Sequence, residues 1–98
     1  MKVLWTESAL AQLQAIHDYV AQSSPEYALR IIDRLTARSI QIATFPVSGR
    51  MVPEYDLNDV REVIEGSYRI IYLIDSGQQK IEVLAVIHSS REQLPPLG

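Results

Sequence analysis

The sequence predicts an α+β fold in which an antiparallel helical hairpin packs on one face of a small, mostly antiparallel sheet, in the order β-α-α-β-β-β. Three observations predict it. Apolar residues recur at helical spacing before Phe45-Pro46 and at strand spacing after it. The connection between the two helical patterns, around Ser23-Ser24, is short enough to imply a helical hairpin. Beyond residue 60, short turn signals separate three apolar runs.

Lys2 to Trp5 is a short apolar segment that reads as the first strand. Thr6 then supplies an N-cap, and Glu7 suits the positive end of the helix it opens. Leu10, Leu13, Ile16 or His17, and Val20 form that helix's apolar stripe, which ends near Gln22. Ser23-Ser24-Pro25-Glu26 is a second start signal, with a Ser cap, Pro in the first turn and an acid behind it. Ala28, Ile31, Ile32, Leu35, Ser39 and Ile42 form the second buried stripe, and Pro46 stops the helix. Val47 to Asp59, with Gly49, Pro53 and Asn58, reads mainly as loop.

Val60 to Glu65, Tyr68 to Asp75 and Lys80 to His88 read as strands, the last two central. With Gly66-Ser67 as a two-residue turn, Glu65 pairs with Tyr68 and Ile64 with Arg69. Arg69 then shares a face with Glu62, and Arg61 points to the other. Arg91 to Gly98, with Pro95-Pro96, reads as a mobile tail.

The chain has 98 residues, 47% of them hydrophobic and 21% charged. That suits one domain over residues 1–98, because domains cluster at about 100–150 residues. It excludes a disordered chain, which lacks the apolar content to offset ordering entropy. With no cysteine, a disulfide scaffold, a zinc ribbon and a thiol nucleophile are all excluded. No signal peptide is visible, and Val83 to Ile87 is far short of the ~20 residues of a membrane helix. A cytoplasmic location is the expectation. The net charge of −3 counts against nonspecific nucleic-acid binding, whose affinity comes from neutralising phosphates. Seven of the nine cations are Arg, suited to bidentate recognition of carboxylate or phosphate.

Several charged or titratable groups sit in or beside apolar strands, where a charge is costly unless paired. Arg61 and Arg69 would form an anion site if a loop shift placed them on one face. Otherwise Arg69 pairs with Glu62, and Arg61 with another acid, to stabilise the sheet. His88, followed by Ser89, Ser90 and Arg91, reads either as a general acid or base or as a partly buried, hydrogen-bonded side chain. His17 reads as core edge. Arg30, Arg34 and Arg38 line one helix face, and Glu26 stands where it would pair with Arg30. They serve an acidic partner or nucleic-acid backbone, or form a solvated face. No metal-ligand spacing, phosphate loop or GxSxG elbow is present. No metal and no cofactor is expected.

A family resemblance rests on an ordered set of motifs. Leu4-Trp5-Thr6, Ala9 and Leu13 come first, then Phe45-Pro46-x-x-Gly49-Arg50-x-Val52-Pro53-Glu54 and Arg61-Glu62. Tyr68-Arg69-Ile70-Ile71-Tyr72 and Val83-Leu84-x-Val86-x-His88-x-x-Arg91 complete it. Over nearly the whole chain this set resembles the RelE/ParE toxin superfamily of bacterial type II toxin–antitoxin, or plasmid-stabilisation, systems. The resemblance implies a toxin that arrests growth and is neutralised by a cognate antitoxin. An extended antitoxin segment would wrap the helical hairpin and a sheet edge, with Arg30, Arg34 and Arg38 meeting its acids.

Two mechanisms exist in the superfamily. ParE-like members inhibit DNA gyrase, and the Gly-Arg-x-Val-Pro-Glu loop and His-x-x-Arg ending look closer to that branch. RelE-like members are metal-independent, ribosome-dependent mRNA endoribonucleases. In their YoeB-like branch a Glu, an Arg and a His act; Glu54, Arg69 and His88 look like the counterparts, with Arg61 assisting. Arg69 would then stabilise the phosphate and His88 would move the proton. The chain departs from that branch at Ser89, where an aromatic residue follows His, and from RelE in having only Lys2 and Lys80. A third reading is a degenerate toxin that still binds antitoxin without arresting growth.

Overall fold

Thr6 opens the first helix as its sequence predicts. Its extended backbone and its Oγ1, which accepts from Ala9 N at 3.1 Å, cap a helix over Glu7–Ala21. Ser24 repeats the device, accepting from Tyr27 N ahead of Pro25. In this computed structural model, which describes residues 1–90 and 94–97, the elements are β1 (Lys2–Trp5), α1 (Glu7–Ala21), α2 (Pro25–Thr44), β2 (Arg50–Met51), β3 (Val60–Glu65), β4 (Tyr68–Asp75) and β5 (Lys80–His88). Arg91, with the rest of 91–93 and residue 98, lies outside the described residues.

The five strands form one sheet in the order β1-β5-β4-β3-β2. β1 runs parallel to β5, and every other pairing is antiparallel. The two helices lie on one face, so the α+β architecture is as expected. Ile16, Leu35 and Ile42 of the helices meet Ile70, Tyr72, Ile81, Val83 and Val86 of the sheet. The opposite face carries a second cluster of Val52, Val60, Ile71, Ala85 and Ile87. Tyr55, from the segment after β2, and Leu94 cover it. The Tyr55 hydroxyl donates to the Pro95 carbonyl, so residues 94–97 of the expected mobile tail contact this face.

Three local readings are corrected. The segment read mainly as loop contains a 3-10 turn over Pro46–Ser48 and the short edge strand β2. Two residues are too few to show strand alternation. Leu10, expected in the α1 stripe, is 51% exposed, and Ala9 is buried in its place. α1 lies close against β5, and a residue without a long side chain admits that approach. Tyr72 is the third case: an aromatic read simply as apolar strand holds the turn before β2. Its hydroxyl donates to Pro46 O and accepts from Gly49 N at 3.1 Å.

β4 and β5 do not pair in one unbroken register. Ile71 opposes Ala85 and Tyr72 opposes Val83, leaving Leu84 as an extra residue in β5. Beyond β1, the backbone N–H of Val86 donates to Gln12 Oε1 of α1 at 2.9 Å, so a side chain replaces the missing strand partner.

Candidate functional site

Two sets of polar side chains face away from each other across the sheet. Directly opposed residues in neighbouring strands share a face. Glu62 opposes Ile71, and Arg69 opposes Ile64 and Ile87, so both project from the side away from the helices. The two-residue turn at Gly66-Ser67, with Gly66 at φ 59°, creates this register as the sequence predicts.

Glu62 is 1% exposed. Its Oε1 accepts from Arg69 Nε and its Oε2 from Arg50 Nε, both at 2.6 Å. Arg69 turns its other edge to Glu54, Nη1 to Oε2 at 2.9 Å and Nη2 to Oε1 at 3.0 Å. This is the bidentate fit of guanidinium to carboxylate. Desolvating a carboxylate costs several kcal/mol, about what well-placed guanidiniums offset. Two cations and two anions thus close on each other. The hydrogen bonds from Arg69 lower the Glu54 carboxyl from 4.5 to about 2. In return, Glu54 first and Glu62 after it hold the Arg69 guanidinium above its ordinary range, against the opposing effect of burial. The Phe-Pro-x-x-Gly-Arg and Pro-Glu motifs are thereby explained. Tyr72 anchors the turn that presents Arg50, and Val52 inserts into the second core cluster just before Glu54.

His88 lies on the other face. It opposes Tyr68 in the register, and their rings meet edge to face with centroids 5.6 Å apart. Its Nδ1 accepts from Ser90 N at 3.3 Å and lies 3.0 Å from Ser90 Oγ. The partly buried, hydrogen-bonded reading is the one observed. Arg61 opposes Tyr72 and shares its helix-side face, as predicted. Its expected acidic partner is corrected: Nε donates to Asn58 O at 2.8 Å, Nη2 to Asn58 Oδ1 at 2.8 Å and Nη1 to Gly49 O at 3.2 Å. The structure therefore brings Glu54 and Arg69 together and places Arg61 and His88 on the opposite side.

The Arg stripe of α2 is divided as well. Arg38 bends to the sheet, where Nε donates to Glu65 Oε1 at 3.0 Å and Nη1 to Gln41 Oε1 at 2.7 Å. Arg30 and Arg34 are exposed, and among the described residues neither makes an ion pair. The expected Glu26–Arg30 pair is thus absent among those residues. His17 is half-buried beside Asp18, its Nδ1 3.1 Å from Oδ1, at the core edge as read. The Arg38–Glu65 and Arg50–Glu62 pairs were not visible in sequence. Their partners are 27 and 12 residues apart, and no local spacing links them.

Among the described residues no group of three His, Asp or Glu is placed to hold a metal ion. No helix among them is long and apolar enough to cross a membrane.

Residues 3–93 match the family model of the ParE toxin of type II toxin-antitoxin system, parDE. Toxin RelE2 of Caulobacter vibrioides is 34% identical over 91 residues, spanning 92% of this chain and 97% of that one. Putative toxin Y4kP of Sinorhizobium fredii is 28% identical over 93 residues, spanning 93% and 91%. Among solved structures, the chromosomal ParDE TA system from P. aeruginosa superposes with a TM-score of 0.72 at 23% identity, covering 90% of this chain and 95% of that one. The toxin-antitoxin complex RelBE2 from Mycobacterium tuberculosis superposes with a TM-score of 0.65 at 21% identity, covering 89% and 88%. Both structural likenesses concern the fold.

Proposed function

The chain belongs to the ParE toxin family of type II toxin–antitoxin systems, and from that premise we propose that it arrests growth by binding DNA gyrase and is neutralised by a cognate antitoxin. The observation that carries the gyrase reading is the separation of Arg69 from His88 by the sheet. Cleavage of RNA by its own 2′-hydroxyl needs a base, an acid and phosphate-binding cations around one phosphate. Here the most buried strand cation, Arg69, is saturated by Glu62 and Glu54, and the imidazole faces the helices. A surface that acts by binding needs no such convergence. Family membership supports the antitoxin as partner, with Arg30 and Arg34 offered to its acids.

The alternative, a ribosome-dependent mRNA endoribonuclease, draws support from the contact of Glu54 with Arg69, two of its four candidate residues. Controlled induction in a host carrying a DNA-damage reporter separates the two. Gyrase poisoning predicts growth arrest with the reporter on, and retention of toxicity by His88→Ala. Arrest with the reporter silent and new transcript ends would establish the nuclease. A His88→Ala variant that folds normally but no longer arrests growth would overturn the gyrase reading. No arrest in a susceptible host would leave a degenerate toxin.

A further inference from the structure

The helix-side face ends in a cleft of about 270 Å³ between α2 and the Gly66-Ser67 turn. Its floor is aliphatic, with Val20 from α1 and Ile31 from α2. Tyr27, Tyr68 and His88 supply aromatic walls, and Arg34 stands on the lip. The cleft is open to solvent on one side, and its volume leaves room for a benzene-sized ring, which fits a cavity of ~150 Å³. Two side chains of opposite charge, Glu65 and Arg34, line the cleft. Glu65, the acid at the cleft, is tied to Arg38 at 3.0 Å, whereas Arg34, and Arg30 one turn before it, make no ion pair among the described residues.

We propose that this cleft seats one bulky aliphatic or aromatic side chain of the antitoxin, carried on a segment whose acidic residues meet Arg34 and Arg30. The inference rests on the antitoxin reading and adds to it the place and chemistry of one anchor. An apolar floor alone would accept many partners. The cationic lip selects an acidic flank, because the guanidinium fork matches a carboxylate. The chain as a whole, at net charge −3, discourages acidic partners elsewhere and so sharpens this local preference. The site is separate from the Arg50–Glu62–Arg69–Glu54 cluster, which occupies the other side of the sheet and whose charges are already matched.

Calorimetric titration of the full chain with the antitoxin encoded beside its gene tests this at fixed salt. Tyr27→Ala removes a wall, Arg34→Glu reverses the lip, and Lys2→Glu makes the same charge change on β1. Arg34 is exposed, so its variant keeps the test intact even if Tyr27→Ala loses stability. Each of the two cleft variants is expected to weaken binding about tenfold or more, with Lys2→Glu within about threefold of wild type. Binding by wild type together with either folded cleft variant within about threefold overturns the anchor and leaves the antitoxin reading standing. Equal losses in Arg34→Glu and Lys2→Glu also overturn it, as a general charge effect. A wild-type chain that does not bind overturns the antitoxin reading itself.

Discussion

Glu62 shows how one buried carboxylate organises a polar face. It receives Arg50 and Arg69 while nearly inaccessible to water, so Glu62→Ala leaves Arg69 without its inner partner. The expected loss is about 3–5 kcal/mol, read as a fall in the urea midpoint. Glu54 is the contrasting case, half-exposed and held by the same guanidinium. Its folded carboxyl value, about 2, lies below the ordinary 4.5. Its contribution to stability is therefore complete above about pH 4.5 and disappears as pH falls through about 2. The difference in thermal midpoint between wild type and Glu54→Gln should close across that window, and shrink in high salt because the pair is exposed. Gly49 is set by space. A Cβ there would lie 2.5 Å from the Tyr72 hydroxyl and 2.6 Å from Glu62 O. Gly49→Ala should cost about 1–3 kcal/mol through displacement of the Tyr72 turn.

At the scale of elements, Tyr72 joins the central strand to the edge of the sheet. Tyr72→Phe removes the donor to Pro46 O and the acceptor for Gly49 N. It should lower stability by about 1–3 kcal/mol, with faster amide exchange around β2. Where an element is governed by its own neighbours, the sequence was readable. Thr6 and Ser24 cap the helices because short hydroxyl side chains reach their own backbone. The two-residue turn set the β3–β4 register, and with it the shared face of Arg69 and Glu62. The readings that failed depend on distant approach. Ala9 replaces Leu10 inward because α1 lies against β5. β2 exists because Arg50 and Met51 find Glu62 and Arg61 across a gap no local pattern bridges. Arg61 found the nearby Asn58 and, twelve residues back, the Gly49 carbonyl in place of an acid.

Taken as a whole molecule, the chain divides its charges between two sides of one thin sheet. One side is internally neutralised around Glu62, and the other presents an aromatic cleft with Arg34 at its lip. Reversing both Arg30 and Arg34 to Glu should leave the thermal midpoint nearly unchanged, since surface substitutions fall within about 0.5 kcal/mol. The same variant should lose antitoxin affinity. Family was legible in the order of the motifs, but the grouping of the candidate site residues was not, and the cause is Leu84. A strand counts in twos, so one supernumerary residue is a half-period phase shift for everything downstream. Had the pairing of Asp75 with Lys80 continued unbroken, His88 would oppose Ser67 and come out in phase with Arg69. The added residue puts it out of phase, opposite Tyr68. Deleting Leu84 should therefore turn the bulge into an unbroken ladder, with Val83 opposite Tyr72, Ala85 opposite Ile71 and His88 still opposite Tyr68, so the nuclear Overhauser contact between the two rings should survive. Whether β5 bulges out its surplus residue or pairs it thus decides which side chains are neighbours, without altering any of the residues that would do chemistry.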